Sequence, residues 1–320
     1  MSAATTPLVR VTDLAKSFGA LAAVDGISFH VAPGEVVSII GPNGSGKTTT
    51  INLLAGELRP DRGDVVLGQT DIAGRTPDVI ARAGLRRTFQ NGRVFGNATV
   101  EENVLVGQTP LVRASAPLPR LRRIPVLRWI ALIVETVLAI VGTPAQRREA
   151  ADLDARVTAQ LERFATRLTA RRNDPAATLS YANRRRTEIA RALASDPRLL
   201  LLDEPTAGMN VSETKEVMHQ LLELKAQGQT MVVVEHKLEL VMTISDRVIV
   251  MDGGRIIAEG TPHQVQNDPA VIAAYLGSRR GTVVARTHHI EDAIEDPAPT
   301  TVEPAQTGDE PAPRTEGDAR

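Results

Sequence analysis

A chain of 320 residues has room for one large or two modest domains. Its net charge of −1 excludes a general basic footprint for nucleic acid, and the lack of cysteine excludes a disulfide framework and any cysteine-built metal site. The first ten residues show no basic stretch followed by an apolar one, so no signal peptide is expected, and no uncharged apolar run reaches the roughly 18 residues of a membrane span.

The predicted elements begin with a weakly alternating strand, Leu8 to Phe18, and a second strand over Ile27 to Val31. Pro33-Gly34 then turns the chain into an apolar run, Val36-Val37-Ser38-Ile39-Ile40, which reads as a buried strand. Gly41-Pro42-Asn43-Gly44-Ser45-Gly46-Lys47-Thr48-Thr49 follows and fits G-x-x-x-x-G-K-[ST] without a mismatch, and Thr49 to Leu54 reads as a helix. Strand, glycine loop and helix in that order are the setting a phosphate-binding loop requires. The glycines let backbone N–H groups converge on phosphate oxygens, and the helix N-terminus adds its positive dipole end. In such a loop Lys47 is placed to reach the β- and γ-phosphates, and Thr48 to hold Mg²⁺.

A turn at Pro60-Asp61-Arg62-Gly63 leads to a short strand, Asp64 to Leu67, then a helix over Val79 to Ala83 and a strand from Leu85 to Gln90. Thr99 to Val106 opens a helix with Glu101 and Glu102 in its first turn, where the dipole favours acids. From about 107 to 178 the composition changes. Pro and Arg dominate 110–125, an apolar stretch runs 126–142, and Thr143-Pro144-Ala145-Gln146 resembles a capping box with proline at the first helical position. That helix is expected to run to about Arg171, and with no strand pattern the region reads as an all-helical insertion in an α/β domain. Trp129 to Val141 is apolar except for Glu135 and Thr136, and Arg120, Arg122 and Arg123 precede it. A buried helix of the insertion fits this pattern, and so does a helix lying on a membrane face with the arginines near anionic headgroups.

Strand and helix alternate again from Leu179. A helix spans Leu179 to Ala194, and an apolar strand from Arg198 to Leu202 ends in Asp203-Glu204-Pro205. A helix over Ser212 to Gln227, a strand over Met231 to Val234 ending in Glu235-His236, and a helix over Leu238 to Ile244 come next. A hairpin through Asp252-Gly253-Gly254 and a last helical stretch to Tyr275-Leu276-Gly277 complete the domain. Residues 281–320 are rich in Pro, Ala, Thr and acid, with nine acids and two arginines in the final 30, and read as a disordered acidic tail. Asp203 is expected at the C-terminal end of a buried strand, where open α/β sheets bind ligands. Two adjacent carboxylates there can divide into a partner for phosphate-bound Mg²⁺ and a general base for water; they can also cap the helix that follows.

The phosphate loop, Thr88-Phe89-Gln90, Leu179-Ser180-Tyr181-Ala182-Asn183, Leu199 to Pro205 and Val234-Glu235-His236, in that order and spacing, resemble the ATPase subunits of ABC transporters over about residues 7–277. Arg87-Thr88-Phe89-Gln90, Ser180-Tyr181, Ala207-Gly208-Met209-Asn210 and the stretch from Asn267-Asp268-Pro269 to Ala274-Tyr275-Leu276-Gly277 are similar to the LivG type of branched-chain amino acid importers. The resemblance implies an α/β fold, a phosphate-loop ATPase core of ABC type over residues 1–280. It implies an inserted all-helical subdomain at about 91–195, with an unusual insert at about 110–148.

ATP and Mg²⁺ are the implied cofactors. Phe18 would stack on adenine, a core phenylalanine being the alternative. Asn43, Gly44, Ser45, Gly46, Lys47, Thr48 and Thr49 would cradle the phosphates and Mg²⁺. Gln90 would sense Mg²⁺ and the attacking water, Asp203 would hold Mg²⁺ and Glu204 would polarise the water. His236 would contact the γ-phosphate, a solvated strand-end histidine being the alternative. Subunits of this family pair head to tail, so Ser180 would contact nucleotide bound to the partner.

The implied partners are transmembrane permease subunits, a second ABC ATPase subunit and a periplasmic or extracellular solute-binding protein, with no nucleic acid. The implied location is peripheral, on the cytoplasmic side of the cell membrane. Two other readings are a soluble ABC ATPase and an exporter-type one. A single phosphate loop and the absence of long heptad arms argue against the ribosomal and chromosomal soluble types, and the LivG-like end argues against the exporter. In one place the sequence departs from its family, having Ala182-Asn183 where LivG-type chains commonly have Gly-Gln. A glycine lets backbone approach phosphate without a Cβ, so the Ala182 methyl is expected to lie near the partner's phosphate and Ala182→Gly to strengthen ATP-driven pairing or raise turnover.

Overall fold

The structure is a computed structural model that describes residues 6–88, 94–109 and 144–275. Gln90, the Trp129–Val141 stretch, the cap residue Thr143 and the tail from 281 lie outside the described residues.

β1 (Val9–Phe18) and β2 (Leu21–Val31) pair antiparallel along their length. β2 begins well before the expected Ile27. Its early half is hidden from a period-two reading by bulges, with register shifts between Val11 and Ser17 and left-handed backbone at Asp13 and Gly26. With β4 (Arg62–Leu67) and β5 (Thr70–Asp71) they form a four-stranded sheet in the order β2-β1-β4-β5. A second sheet contains β3 (Val36–Ile40), β6 (Leu85–Arg87), β7 (Leu199–Asp203), β8 (Met231–Val234), β9 (Arg247–Asp252) and β10 (Arg255–Gly260). Its order is β10-β9-β3-β8-β7-β6, parallel throughout except for the β10 edge.

The central parallel strands β3, β7 and β8 are buried at every residue, and almost wholly apolar, because both of their faces are covered. Leu199 and Leu201 of β7, with Val232 and Val234 of β8, point into the core shared with the four-stranded sheet and α1 (Lys47–Leu54). Leu200, Leu202, Met231 and Val233 point into a second core under the helices. That core contains residues of α3 (Val100–Val106), α4 (Pro144–Arg163), α5 (Ala165–Thr169), α6 (Tyr181–Leu193), α7 (Val211–Ala226) and α8 (Leu238–Ile244). α2 (Pro77–Ala83) precedes β6, and α9 (Pro262–Gln266) follows β10.

The helix expected to continue to Arg171 breaks at Phe164. Phe164 leaves helical geometry and buries its ring beside Val157, Leu161 and Leu168, while the Thr169 hydroxyl donates to the Leu161 carbonyl at 3.2 Å. Between 94 and 195 the described residues are helical or looped, apart from an isolated bridge between Thr99 and Pro175. The strand expected to reach Gln90 ends at Arg87, with the Thr88 N–H still donating to Leu201. Register fixes the functional edge: Ile39 and Asp203 both lie opposite Val234. The loops after β3, β7 and β8 therefore leave the same end of the sheet side by side.

Candidate functional site

The phosphate loop leaves β3 at Gly41, where an added Cβ would collide with the Met251 carbonyl oxygen. It closes on Gly46, which caps α1 at φ 101 and where an added Cβ would collide with the Ala23 carbonyl oxygen. Both positions need glycine for space, and the second also for its left-handed backbone. Lys47 is 5% exposed, and its ammonium donates to the Gly41 and Pro42 carbonyls, each at 2.9 Å. Burial lowers its pKa below the ordinary lysine value, and the Glu204 and Asp203 carboxylates partly offset this. Lys47 thus lies within the field of both acids.

Asn43, Gly44 and Thr48 are exposed, Gly46 and Thr49 half-buried and Ser45 buried. Loop residues 44–49 share the wall of a cavity of about 360 Å³ with Phe18, Leu21, Ala22, Ala23 and Gly253. Phe18 is 49% exposed, so it is no core residue, and the Lys16 ammonium lies 5.9 Å from its ring centroid. The cavity thus offers a helix N-terminus and a lysine for phosphates, and an aromatic face for a planar ring.

Asp203 ends β7 in the buried state and accepts from Arg87 at 2.8 Å, while Arg87 also pairs with Glu57 at 3.0 Å and donates to Asn52 at 2.6 Å. Glu204, the next residue, adopts φ 47, a left-handed conformation costing about 1–2 kcal/mol for a non-glycine residue. Its N–H donates to Val234 at 2.8 Å, and its carboxylate lies 3.1 Å from His236 Nε2. The two acids do not cap the next helix. Asn210 does so, with Glu213 completing its capping box. His236, half-exposed, is thus not merely solvated, and the two loops meet through it.

A second set of contacts fixes those loops. Glu235, 3% exposed, accepts from the Thr206 N–H at 2.9 Å and from the Thr206 hydroxyl. It also accepts from the His236 N–H at 2.8 Å and the Lys237 N–H at 3.2 Å. Lys237 donates to the Thr206 and Met209 carbonyls at 3.0 and 3.2 Å. Sequence reasoning placed Arg87 and Glu235 inside motifs without giving them a role, and did not single out Lys237. The only local signal was their position beside Thr88 and His236.

Ser180 caps α6, accepting from the Asn183 N–H at 3.3 Å, and is exposed; it is not among the residues lining the phosphate cavity. Ala182 departs from the orientation expected of it. It is 2% exposed, and its methyl packs in the helical core. The reason is helical geometry. With Ser180 as cap, Tyr181 and Ala182 diverge by about 100°, and the ring of Tyr181 takes the outer side beside Gly208.

Comparison with known proteins shows the family. The ABC transporter family profile matches residues 24–207, and that of the branched-chain amino acid ATP-binding cassette transporter matches 255–280. The high-affinity branched-chain amino acid transport ATP-binding protein LivG of Escherichia coli is 39% identical over 272 residues, covering 85% of this chain and 98% of that protein. BraF of Pseudomonas aeruginosa, a protein of the same description, is 38% identical over the same coverage. The ADP conformation of an ATP-binding cassette of an ABC transporter superposes with a TM-score of 0.68 at 32% identity, over 85% of this chain and all of that one. The chain belongs to the ABC transporter family and is one of its ATP-hydrolysing subunits.

Proposed function

We propose that this site hydrolyses ATP with Glu204 as the general base for water, and that the hydrolysis energises import of branched-chain amino acids or related amides. The observation carrying the first half is the Glu204–His236 contact at 3.1 Å, at the sheet edge that also bears the Lys47 loop. A base held by a second group that can also touch the γ-phosphate is the arrangement water attack needs. The aromatic and phosphate-binding ends of the cavity suit adenine and triphosphate. Support for the substrate class is the LivG and BraF likeness and the match at 255–280.

Mg²⁺ fits the residues present. Thr48 is exposed at the cavity wall, and the Asp203 carboxylate is available from the strand end through exchange of its arginine partner. Among the described residues no group of three or more His, Cys, Asp and Glu side chains could hold a metal ion. That suits an ion taking most of its ligands from phosphates and water. When bound, it would neutralise charge on the phosphates. Gln90 is proposed to join Thr48 and Asp203 there.

The exposed position of Ser180 supports a head-to-tail pair in which it meets nucleotide on a second ATPase subunit. No described helix is long and apolar enough to cross a membrane. We assign transport itself to permease subunits, with this chain peripheral on their cytoplasmic side and a solute-binding protein supplying substrate. The helices between 94 and 195 would form the subdomain facing the permease.

Glu204→Gln in the full chain tests the base. ATP binding should persist while turnover falls by about 10²–10⁴-fold. Hydrolysis at the parent rate would remove Glu204 from this role. Uptake of labelled leucine by cells with and without the gene tests the solute.

A further inference from the structure

Arg185 lies on α6, five positions after Ser180, and is 1% exposed. One guanidinium nitrogen, Nη1, pairs at 2.6 Å with Glu188, a neighbour on the same helix that is equally buried. The other, Nη2, turns away from the helix. It donates to the Glu204 carbonyl oxygen at 3.1 Å and to that of Asp203. β7 ends at Asp203, and the chain enters its left-handed turn at Glu204, so the two carbonyls flank the point where the strand gives way to the turn.

A non-glycine residue stays in that conformation only where its surroundings over-determine it. Val234 fixes the Glu204 N–H, the Ala207 N–H and Arg185 meet its carbonyl, and His236 meets its carboxylate. Stability alone gives little reason for a buried arginine, since a buried ion pair is often no better than apolar side chains of similar volume. A rigid donor fork can, however, serve a carboxylate and two carbonyls at once, which a single ammonium cannot do in fixed geometry.

We infer that Arg185 is a positioning residue for hydrolysis. It holds the Asp203–Glu204 backbone so that the Glu204 carboxylate stays aimed at the site, and it ties the helix that begins at Ser180 to the catalytic strand within one chain. The inference rests on the reading of Glu204 as the base. Movement of the Ser180 end of α6 then reaches Glu204 through one side chain.

The test uses the full chain, Mg-ATP and two variants. Arg185→Lys keeps a charge beside Glu188 but loses the fork. Arg185→Met combined with Glu188→Met removes both charges at similar volume and guards against an unpaired buried acid. In whichever variant folds with a melting temperature near the parent's, kcat should fall about tenfold or more while KM for ATP stays within about twofold. Parent kcat in a folded variant would overturn the inference. So would a fall in kcat, ATP affinity and melting temperature together in both variants, since that is what a merely structural arginine would give. Glu204→Gln, run alongside, separates the two claims. If it is inactive while the Arg185 variants are fully active, the base stands and the positioning role fails. If it hydrolyses at the parent rate, the reading of the base itself is wrong.

Discussion

Gly41 to Thr49 builds one half of the site from nine consecutive residues, whereas Asp203, Glu204 and His236 lie on two separate strand ends and are held by Arg87 and Arg185 from two further places in the chain and by Glu235 and Lys237 on either side of His236. The first half works mainly through backbone N–H groups and one lysine that bonds within its own loop. The second works through carboxylates at strand ends, one of them in a left-handed conformation that a local sequence does not favour. A loop of the first kind can be specified locally. An edge of the second kind exists only once the sheet has formed and distant side chains have converged on it. Changes in the loop should therefore strike nucleotide binding, and changes around the carboxylates should strike turnover or stability while binding survives.

Lys47→Ala should have the largest effect on binding. Charge-assisted hydrogen bonds contribute about 1.5–3 kcal/mol each, so loss of two to phosphate lowers ATP affinity roughly a hundredfold or more, and turnover disappears with it. Burial lowers the Lys47 pKa, so in the parent ATP affinity should weaken as pH rises, starting below the range where an ordinary lysine loses its proton. Calorimetric titration across alkaline pH reads both effects. Full affinity in Lys47→Ala would break the division between the two halves.

Glu235→Gln tests the other half. Glutamine keeps one acceptor oxygen in place of the two that now receive bonds from Thr206, His236 and Lys237. Buried donors left without a partner cost about 1–3 kcal/mol, to be read as a lower denaturation midpoint. ATP affinity should stay close to the parent's. An equal loss of affinity would mean that the two loops are not separable.

The same division explains what was legible in the sequence. The phosphate loop could be read outright because its motif is contiguous and sits between a strand of five buried residues and a helix. β7 and β8 were visible as apolar runs because parallel strands are covered on both faces. Hidden were the roles of Arg87, Arg185 and Glu235, ordinary charged residues in the sequence whose meaning arises from contacts across 18 to 116 positions. The early half of β2 was hidden by bulges, and the break at Phe164 by a buried ring that satisfies the core at the expense of helix continuity. The exposed Phe18 was legible through family resemblance, since a lone phenylalanine is more often core.

Phe18→Ala sharpens the loop side with a smaller effect. Stacking of a base on an aromatic ring contributes about 1–3 kcal/mol, and Phe18 is half-exposed, so the lower end applies. ATP and ADP affinities should fall together by roughly fivefold, with kcat unchanged. Inorganic triphosphate, which lacks the base, should bind as it does to the parent. An equal loss for triphosphate would show that Phe18 shapes the loop and leaves adenine untouched.

Ala182→Gly has the smallest expected effect and sets family resemblance against geometry most directly. The resemblance places a glycine here to let backbone approach the partner's phosphate, and so implies that removing the methyl strengthens ATP-driven pairing. In the structure that methyl is 2% exposed and belongs to the helical core that also contains Leu179 and Ile189. Glycine near the start of α6 would add backbone entropy to the unfolded chain and remove a packed methyl group, each unfavourable. The combined cost is about 1 kcal/mol, or a few degrees in melting temperature. Pairing measured by size-exclusion chromatography in the Glu204→Gln background, with and without ATP, should be the same for alanine and glycine. Stronger pairing by the glycine variant at a lower melting temperature would show that α6 rotates its first turn outward when a partner is present, turning a core methyl into an interface one.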